Sequence, residues 1–258
     1  MLSRLLVNNY RLMHGRLNIS GAGWLLRKFA PYLPGLRAYP WPVPEVGVAK
    51  LDLRDVAPFA LMNISLGDLG AEAPVLQWLG KMLRPGDVFW DVGASVGAVS
   101  AYFAHPKHKL ARIDSFEPNP SPYQTLRSLF SNNPLVKTHP FGMGDTDGSP
   151  TMSLSEGCSN LSSLATDFQQ GLGVQVQIRR GDTLRRELAL TPPNVLKIDV
   201  EGFEPQVFAG LSETIAESRP FMIFEHSHLS DEQVSKLTLP NYHLSTSFFL
   251  KVDLRWIR

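Results

Sequence analysis

The fold of this chain is decided by the stretch Asp87-Val88-Phe89-Trp90-Asp91-Val92-Gly93-Ala94-Ser95-Val96-Gly97. Its apolar run predicts a buried strand, and the two glycines at its end predict a tight turn into a helix. A second apolar run ends at Glu117, 20 residues after Gly97. A strand, a helix and a second strand need this spacing if a glycine loop and an acid are to bind one nucleoside. The stretch therefore predicts a nucleoside site at the edge of a parallel sheet.

The chain after residue 70 repeats this strand–helix pattern. We expect strands at 88–92, 111–116, 136–143, 194–199 and 220–225, and helices at 73–83, 96–104, 121–131, 182–188, 204–216 and 231–236. Residues 144–181 interrupt the pattern with turn residues and short runs, which indicates an inserted hairpin. Residues 242–244 and 248–254 are typical of a terminal pair of strands. The repeated units predict an α/β fold, a parallel sheet with helices on both faces.

The first 70 residues lie outside this pattern. Three prolines within residues 39–46 exclude a helix there and indicate a linker or an edge segment. Residues 1–44 contain no acid, and their basic side chains are Arg4, Arg11, Arg16, Arg27, Lys28 and Arg37. We interpret residues 1–70 as an appendage packed on a domain of residues 71–258. The alternative is that residues 1–44 bind an anionic membrane or a partner protein.

The composition limits the class of protein. Hydrophobic residues make up 43% and charged residues 19% of 258, so the chain can build a proper core. The net charge of +1 gives no argument for nucleic acid as a partner. A single cysteine, Cys158, excludes an internal disulfide framework and fits a reducing cytosol, so we predict a cytoplasmic protein.

The residues of the glycine turn favour one kind of nucleoside cofactor. Ser95 occupies the place of the middle glycine in a dinucleotide-binding turn, so a pyrophosphate fits poorly. Asp91 would repel an anion and suits a cationic ligand. S-adenosylmethionine combines a sulfonium, an ammonium and an adenosine. We expect Glu117 to accept both ribose hydroxyls and Asp145 to meet the adenine amino group.

Four segments together resemble the FkbM family of S-adenosylmethionine-dependent methyltransferases. They are Asp91 to Gly97, Phe116-Glu117-Pro118-Asn119-Pro120, Gly142-Met143-Gly144-Asp145, and Leu196-Lys197-Ile198-Asp199-Val200-Glu201-Gly202-Phe203-Glu204 with Gly210. The resemblance implies a Rossmann-like sheet of seven strands with an antiparallel last strand, and methyl transfer most often to oxygen. It implies cofactor contacts from Asp91, Gly93, Ser95, Gly97, Glu117, Pro118, Asp145 and Asp199. The family usually has Asn in place of Ser95, a departure that bears on the contact to the methionine part.

The last of these segments supplies the candidate catalytic groups. Methyl transfer to a poor nucleophile needs the acceptor oxygen to be held and its proton removed. Asp199 and Glu201 follow a strand and can serve as base or as acceptor clamp. Lys197 points to the same face as Asp199 and can keep it ionised. His226, after the next strand, is a further candidate base.

Other interpretations stay open at this point. Asp199, Glu201 and His226 could hold Mg²⁺ or Mn²⁺, but no tight ligand spacing supports this, so we assign no metal ligand. We predict an O-methyltransferase acting on a sugar, a glycan or a related small-molecule precursor. The alternatives are a nicotinamide-dependent oxidoreductase and a non-catalytic cofactor-binding subunit docked through its basic N-terminus.

Overall fold

The computed structural model describes residues 2–15, 22–155, 158–163, 172–226, 229–237, 244–249 and 252–257. The helices are α1 Leu2–Gly15, α2 Ala22–Phe29, α3 Ala57–Ser65, α4 Ala73–Met82, α5 Ala98–Ala104, α6 Pro120–Leu129, α7 Gly181–Glu187, α8 Glu204–Gly210, α9 Ser212–Ser218 and α10 Asp231–Lys236. The strands are β1 Tyr39–Val43, β2 Gly47–Leu51, β3 Val88–Val92, β4 Arg112–Phe116, β5 Val136–His139, β6 Gly142–Gly144, β7 Thr151–Ser155, β8 Cys158–Ser163, β9 Leu172–Gln175, β10 Ile178–Arg180, β11 Val195–Ile198, β12 Phe221–Glu225, β13 Leu244–Phe249 and β14 Val252–Ile257.

A seven-stranded sheet in the order β13-β14-β12-β11-β3-β4-β5 forms the centre of the molecule. The five strands from β12 to β5 are parallel, and β14 is antiparallel to both of its neighbours. This arrangement confirms the predicted α/β sheet with its antiparallel last strand. Because the parallel strands all end at one edge, the loops after β3, β4, β11 and β12 converge there.

The central strands β3, β4, β11 and β12 are buried on both faces, as a parallel sheet with two helical layers requires. Alternate residues of β3 join different core clusters, since side chains alternate along a strand. Phe89 packs in a cluster that runs from Val7 and Trp41 through Leu61 to Ile113. Trp90 packs in the second cluster, with residues of α7, α8 and α9. Residues on both sides of position 70 therefore share one core, and the division into 1–70 and 71–258 stays a prediction.

The predicted third strand, 136–143, is wrong in its extent. In the structure β5 ends at His139, and β6 pairs in parallel with β10 in a separate two-stranded sheet. Pro140 follows β5 and has no N–H to continue the ladder. The two glycines of β6 allow close pairing, because a Cβ on Gly142 would lie 2.5 Å from the Ile178 side chain.

Two other predicted boundaries also differ. The inserted hairpin is a three-stranded sheet, β8-β7-β9, followed by β10. The helix expected at 204–216 is divided into α8 and α9. The division falls after Gly210, whose position would place a Cβ 1.8 Å from the Gly144 carbonyl oxygen. Packing of α8 against β6 thus requires a glycine where the helix is interrupted.

Candidate active site

A cavity of about 270 Å³ opens at the carboxyl edge of the sheet. Its wall contains the loops after β3, β4 and β11, together with residues of α3 and the start of α4. Seven of the residues predicted from the sequence line it, namely Gly93, Ser95, Glu117, Pro118, Lys197, Asp199 and Glu201. The convergence of strand ends therefore brings most of the candidate groups to one site.

The loop after β3 has backbone angles that favour glycine. Gly93 has φ of 79°, and a Cβ there would lie 1.8 Å from the Asp199 carbonyl oxygen. Gly97 has φ of 87°, and a Cβ there would lie 2.6 Å from Leu126 of α6. Ser95 has φ of 49°, which is unusual for a residue with a side chain. The loop is therefore held in one conformation against both β11 and α6.

Glu117 lies in the wall directly after β4 and is almost completely buried. Its carboxylate accepts hydrogen bonds from the backbone N–H groups of Ser95, at 2.9 Å, and Asn119, at 2.7 Å. Burial raises the pKa of Glu117 to about 7, against the lowering effect of these two hydrogen bonds. The buried carboxylate retains lone pairs for hydroxyl donors.

These residues fit the adenosine and methionine parts of S-adenosylmethionine. The Ser95 hydroxyl oxygen is buried in the cavity wall and has no hydrogen-bond partner among the described residues. A polar group of a ligand can satisfy it. Met143 and Phe203 add apolar wall for a base, and Glu117 suits a ribose diol. The donor set therefore matches a nucleoside with a polar tail.

Lys197 connects three parts of the site. Its Nζ lies 3.2 Å from a carboxylate oxygen of Asp199 and 3.2 Å from one of Asp91, and donates to the Gly93 carbonyl at 3.3 Å. Burial acts to lower the pKa of Lys197, but the carboxylates of Asp199, Asp91 and Glu72 outweigh it, so the pKa is raised. Lys197 is thus a permanent cation, and the predicted Lys197–Asp199 pair is present.

An acidic cluster lies beside this lysine. One carboxylate oxygen each of Asp199, Glu201 and Glu225 lies within 4.8 Å of the others. Burial raises the pKa of Glu201 to about 7, and the charge of Asp199 acts in the same direction. Hard cations bind such oxygens, but acidic side chains also cluster without an ion, so the cluster alone assigns no metal.

Four of the predicted residues are not in the cavity wall as the structure describes it. Asp91 lies beneath the wall, where it accepts from the Ser100 hydroxyl at 2.6 Å and pairs with Lys197. Gly97 serves the packing of α5 on α6. Asp145 is exposed in a turn, and His226 is buried at the end of β12. None of these four residues therefore lines the cavity as the structure describes it.

Two acidic wall residues were not assigned from the sequence. Glu72 lies directly before α4. Burial raises its pKa, and Asp199 and Asp91 act in the same direction against Lys197. No motif marks Glu72, because its position depends on how α4 packs on the sheet. Glu225 is the last residue of β12 and Asp199 directly follows β11, so both acids lie at the carboxyl ends of neighbouring strands, which was a usable signal.

Comparisons with known proteins identify the family of this chain. Residues 91–253 match the family described as the methyltransferase FkbM domain. Over 185 residues the chain is 30% identical to the hexuronic acid methyltransferase AglP of Haloferax volcanii. The alignment covers 69% of this chain and 72% of that protein. A stretch of 49 residues is 47% identical to the 31-O-demethyl-FK506 methyltransferase FkbM of Streptomyces tacrolimicus, over 19% of this chain and 18% of that one.

Solved structures include methyltransferase FkbM from Methylobacillus flagellatus KT. It is 17% identical, with a TM-score of 0.47, and the alignment covers 77% of this chain and 53% of that one. The chain thus spans about half the length of that protein. The family match itself covers more than half of the 258 residues and contains the glycine turn, Glu117 and the Lys197–Glu201 segment. The chain belongs to the FkbM methyltransferase domain family.

Proposed function

We propose that this protein transfers a methyl group from S-adenosylmethionine to a hydroxyl oxygen of a sugar, a glycan or a related small molecule. One observation carries the proposal. A single cavity is lined both by the buried Glu117 and by Asp199 and Glu201. The first group suits a ribose diol and the second suits a hydroxyl that must lose its proton. The names of the two relatives support a sugar-like acceptor and methylation at oxygen, since one is a hexuronic acid methyltransferase and the other acts on an O-demethyl compound.

The cofactor would be held by the loops after β3 and β4. Glu117 accepts hydrogen bonds from the ribose, and Ser95 offers its buried hydroxyl to the methionine part. The Gly93 turn allows the loop to lie against the Asp199 backbone. When bound, S-adenosylmethionine supplies an electrophilic methyl group. Binding both reactants in one cavity aligns the acceptor oxygen for in-line displacement.

Two carboxylates have different roles toward the acceptor. Glu201 takes the proton of the hydroxyl, because a pKa of about 7 makes it an efficient base near neutral pH. Asp199 is held ionised by Lys197 at 3.2 Å and accepts a hydrogen bond that positions the acceptor. Lys197 itself carries no proton to or from the acceptor, since its pKa is raised.

A divalent metal is not required in this scheme. The Lys197 ammonium already supplies a positive charge beside Asp199 and Asp91. We therefore expect methyl transfer to continue after dialysis against EDTA. Loss of transfer with EDTA and its recovery with Mg²⁺ or Mn²⁺ would instead assign an ion to the acidic cluster.

The test combines binding with transfer. Calorimetric titration should show binding of S-adenosylhomocysteine and none of NAD. Labelled-methyl transfer is then measured against a panel of uronic acids, neutral sugars, nucleotide sugars and glycans. We expect Asp199→Asn and Glu201→Gln to lose transfer while retaining S-adenosylhomocysteine affinity. Binding of NAD alone would favour an oxidoreductase, and binding without transfer to any acceptor would favour a non-catalytic subunit.

A further inference from the structure

Exposed apolar side chains are concentrated in the first 32 residues. Six large ones are between 44% and 80% exposed, namely Leu2, Leu5, Leu12, Trp24, Phe29 and Tyr32. In the rest of the described chain only Val48 and Leu188 have comparable exposure. Scattered exposed leucines are ordinary, but a concentration of this kind marks an interaction site.

The leucines of α1 share one face of that helix. At about 100° per residue, Leu2, Leu5 and Leu12 fall within an arc of about 80°. Val7 and Tyr10 are buried and point to the opposite side, toward α3. The helix therefore packs one apolar face on the protein, and its outward face carries the three leucines with the exposed Asn9 among them.

The buried side of α1 and α2 packs on the rest of the protein. The Tyr10 hydroxyl donates to Asn63 of α3, and the Tyr10 ring packs edge-on against Phe59 at 5.7 Å. Leu26 and Ala30 are buried in the same core. Since α1 and α2 already have their partners within the chain, the outward apolar side chains are available to something else.

The positive charge around these side chains indicates which kind of surface they bind. Residues 1–44 contain no acid, and Arg4, Lys28 and Arg37 are exposed among them. The Lys28 ammonium lies 4.9 Å from the centre of the Trp24 ring. Lysine is depleted at protein–protein interfaces, whereas basic residues interleaved with aromatic and leucine side chains are typical of helices on anionic bilayers.

We propose that the outward side of α1 and α2, with residues 30–37, binds the surface of an anionic lipid bilayer. Trp24, Phe29, Tyr32 and the three leucines enter the headgroup region, and the basic side chains attract the lipid phosphates. None of the described helices is long and apolar enough to cross a membrane. The proposal does not depend on methyl transfer, so either can fail alone.

Vesicle co-sedimentation tests this surface. The full chain is mixed with vesicles of phosphatidylcholine alone or of phosphatidylcholine with phosphatidylglycerol. We expect binding to the anionic vesicles only, weakened by salt. Leu5→Glu with Trp24→Glu should lower the affinity roughly tenfold or more. The matched control, Val48→Glu with Leu188→Glu, places the same charges on the two exposed apolar residues elsewhere and should leave binding unchanged.

A second pair of variants separates local from net charge. Lys28→Glu with Arg37→Glu should lower affinity roughly tenfold or more, whereas Arg127→Glu with Lys137→Glu changes the net charge equally and should have little effect. Far-UV circular dichroism checks that each variant is folded. If Leu5→Glu with Trp24→Glu is not folded, Trp24→Ala replaces it. Equal binding to both vesicle types, equal loss in the controls, or no vesicle binding would overturn the proposal. Self-association through Trp24 without vesicle binding would also overturn it and assign the surface to a second copy.

Discussion

Glu117 gives a residue-level test of cofactor binding. Its pKa of about 7 means that the carboxylate is mostly protonated at pH 6 and mostly ionised at pH 8. The ionised form is the better acceptor for ribose hydroxyls. We therefore expect the affinity for S-adenosylhomocysteine to rise roughly tenfold from pH 6 to pH 8. Glu117→Gln should lower the affinity at pH 8 by roughly ten- to a hundredfold and abolish the pH dependence.

Asp145→Asn is the control for this measurement. Asp145 is an exposed acid near the same strand ends, expected from the sequence to meet the adenine, yet it lies outside the described cavity wall. We expect the affinity of Asp145→Asn for S-adenosylhomocysteine to equal that of the unaltered protein. A loss as large as that of Glu117→Gln would restore Asp145 to the cofactor site and reduce the role of Glu117.

Glu201 sets the expected pH dependence of the reaction. Its pKa is raised to about 7, so the basic form that accepts a proton is lost as the pH falls through 7. Below this pH, kcat/KM should fall about tenfold per pH unit, and above it the rate should level off. Steady-state rates between pH 5 and pH 9 with a saturating cofactor provide the measurement.

Glu204 makes a control necessary, because burial also raises its pKa to about 7. It accepts the backbone N–H groups of Val200, at 3.1 Å, and Gly202, at 3.4 Å, and so supports the loop that carries Glu201. Glu201→Gln should cut kcat by about a hundredfold or more and leave the residual rate independent of pH. If the residual rate still falls below pH 7, the titrating group is Glu204 or another carboxylate.

At the scale of elements, the loop after β3 can lie against the end of β11 only because Gly93 has no side chain. Gly93→Ala combines a positive φ with a Cβ 1.8 Å from the Asp199 carbonyl oxygen. It should lower the free energy of unfolding by about 3 kcal/mol. Gly80→Ala is the matched control, because Gly80 lies within α4 with nothing within 4 Å of a Cβ. It should raise that free energy by about 0.5–1 kcal/mol. Equal urea midpoints for the two variants would contradict this.

Contacts between neighbouring elements also explain what the sequence could predict. The alternation of side chains along a strand was enough to place Lys197 beside Asp199. The contact of Lys197 with Asp91 needs the register of two strands, which pairs these residues across β11 and β3. Parallel strands are joined by crossover connections, so their register depends on how those connections pack and not only on the alternation within one strand.

The same limit applies to the whole molecule. The succession of strands and helices, the glycine turn and Glu117 follow local patterns and could be predicted. The arrival of Glu72 at the cavity, and the course of the chain from β5 into β6, depend on packing between distant segments. Pro140 was a local signal for the second of these, because it cannot continue a strand ladder. No comparable signal exists for Glu72, since its neighbours in sequence have no ligand motif.

Tyr10 tests whether the N-terminal helices and the sheet form one cooperative unit. Its ring is buried against Phe59 and Trp41, in the core cluster that also contains Phe89 of the central sheet. Tyr10→Ala should therefore lower the free energy of unfolding of the entire chain by about 3 kcal/mol, in a single transition. Tyr32→Ala makes the same substitution at a residue 80% exposed, and should change that free energy by less than about 0.5 kcal/mol while weakening vesicle binding.

Urea unfolding followed by far-UV circular dichroism and by tryptophan fluorescence distinguishes the possible outcomes. Coincident curves that shift together in Tyr10→Ala indicate one folding unit, with α3 coupling α1 to the cavity through Ala57 and Ala60 in its wall. Two separate transitions, with the sheet's midpoint unchanged, would show that residues 1–70 fold as an independent appendage. In that case the membrane surface and the methyltransferase site could be altered separately. If the chain is one folding unit, every destabilising substitution on the buried side of α1 must also lower the stability of the active site.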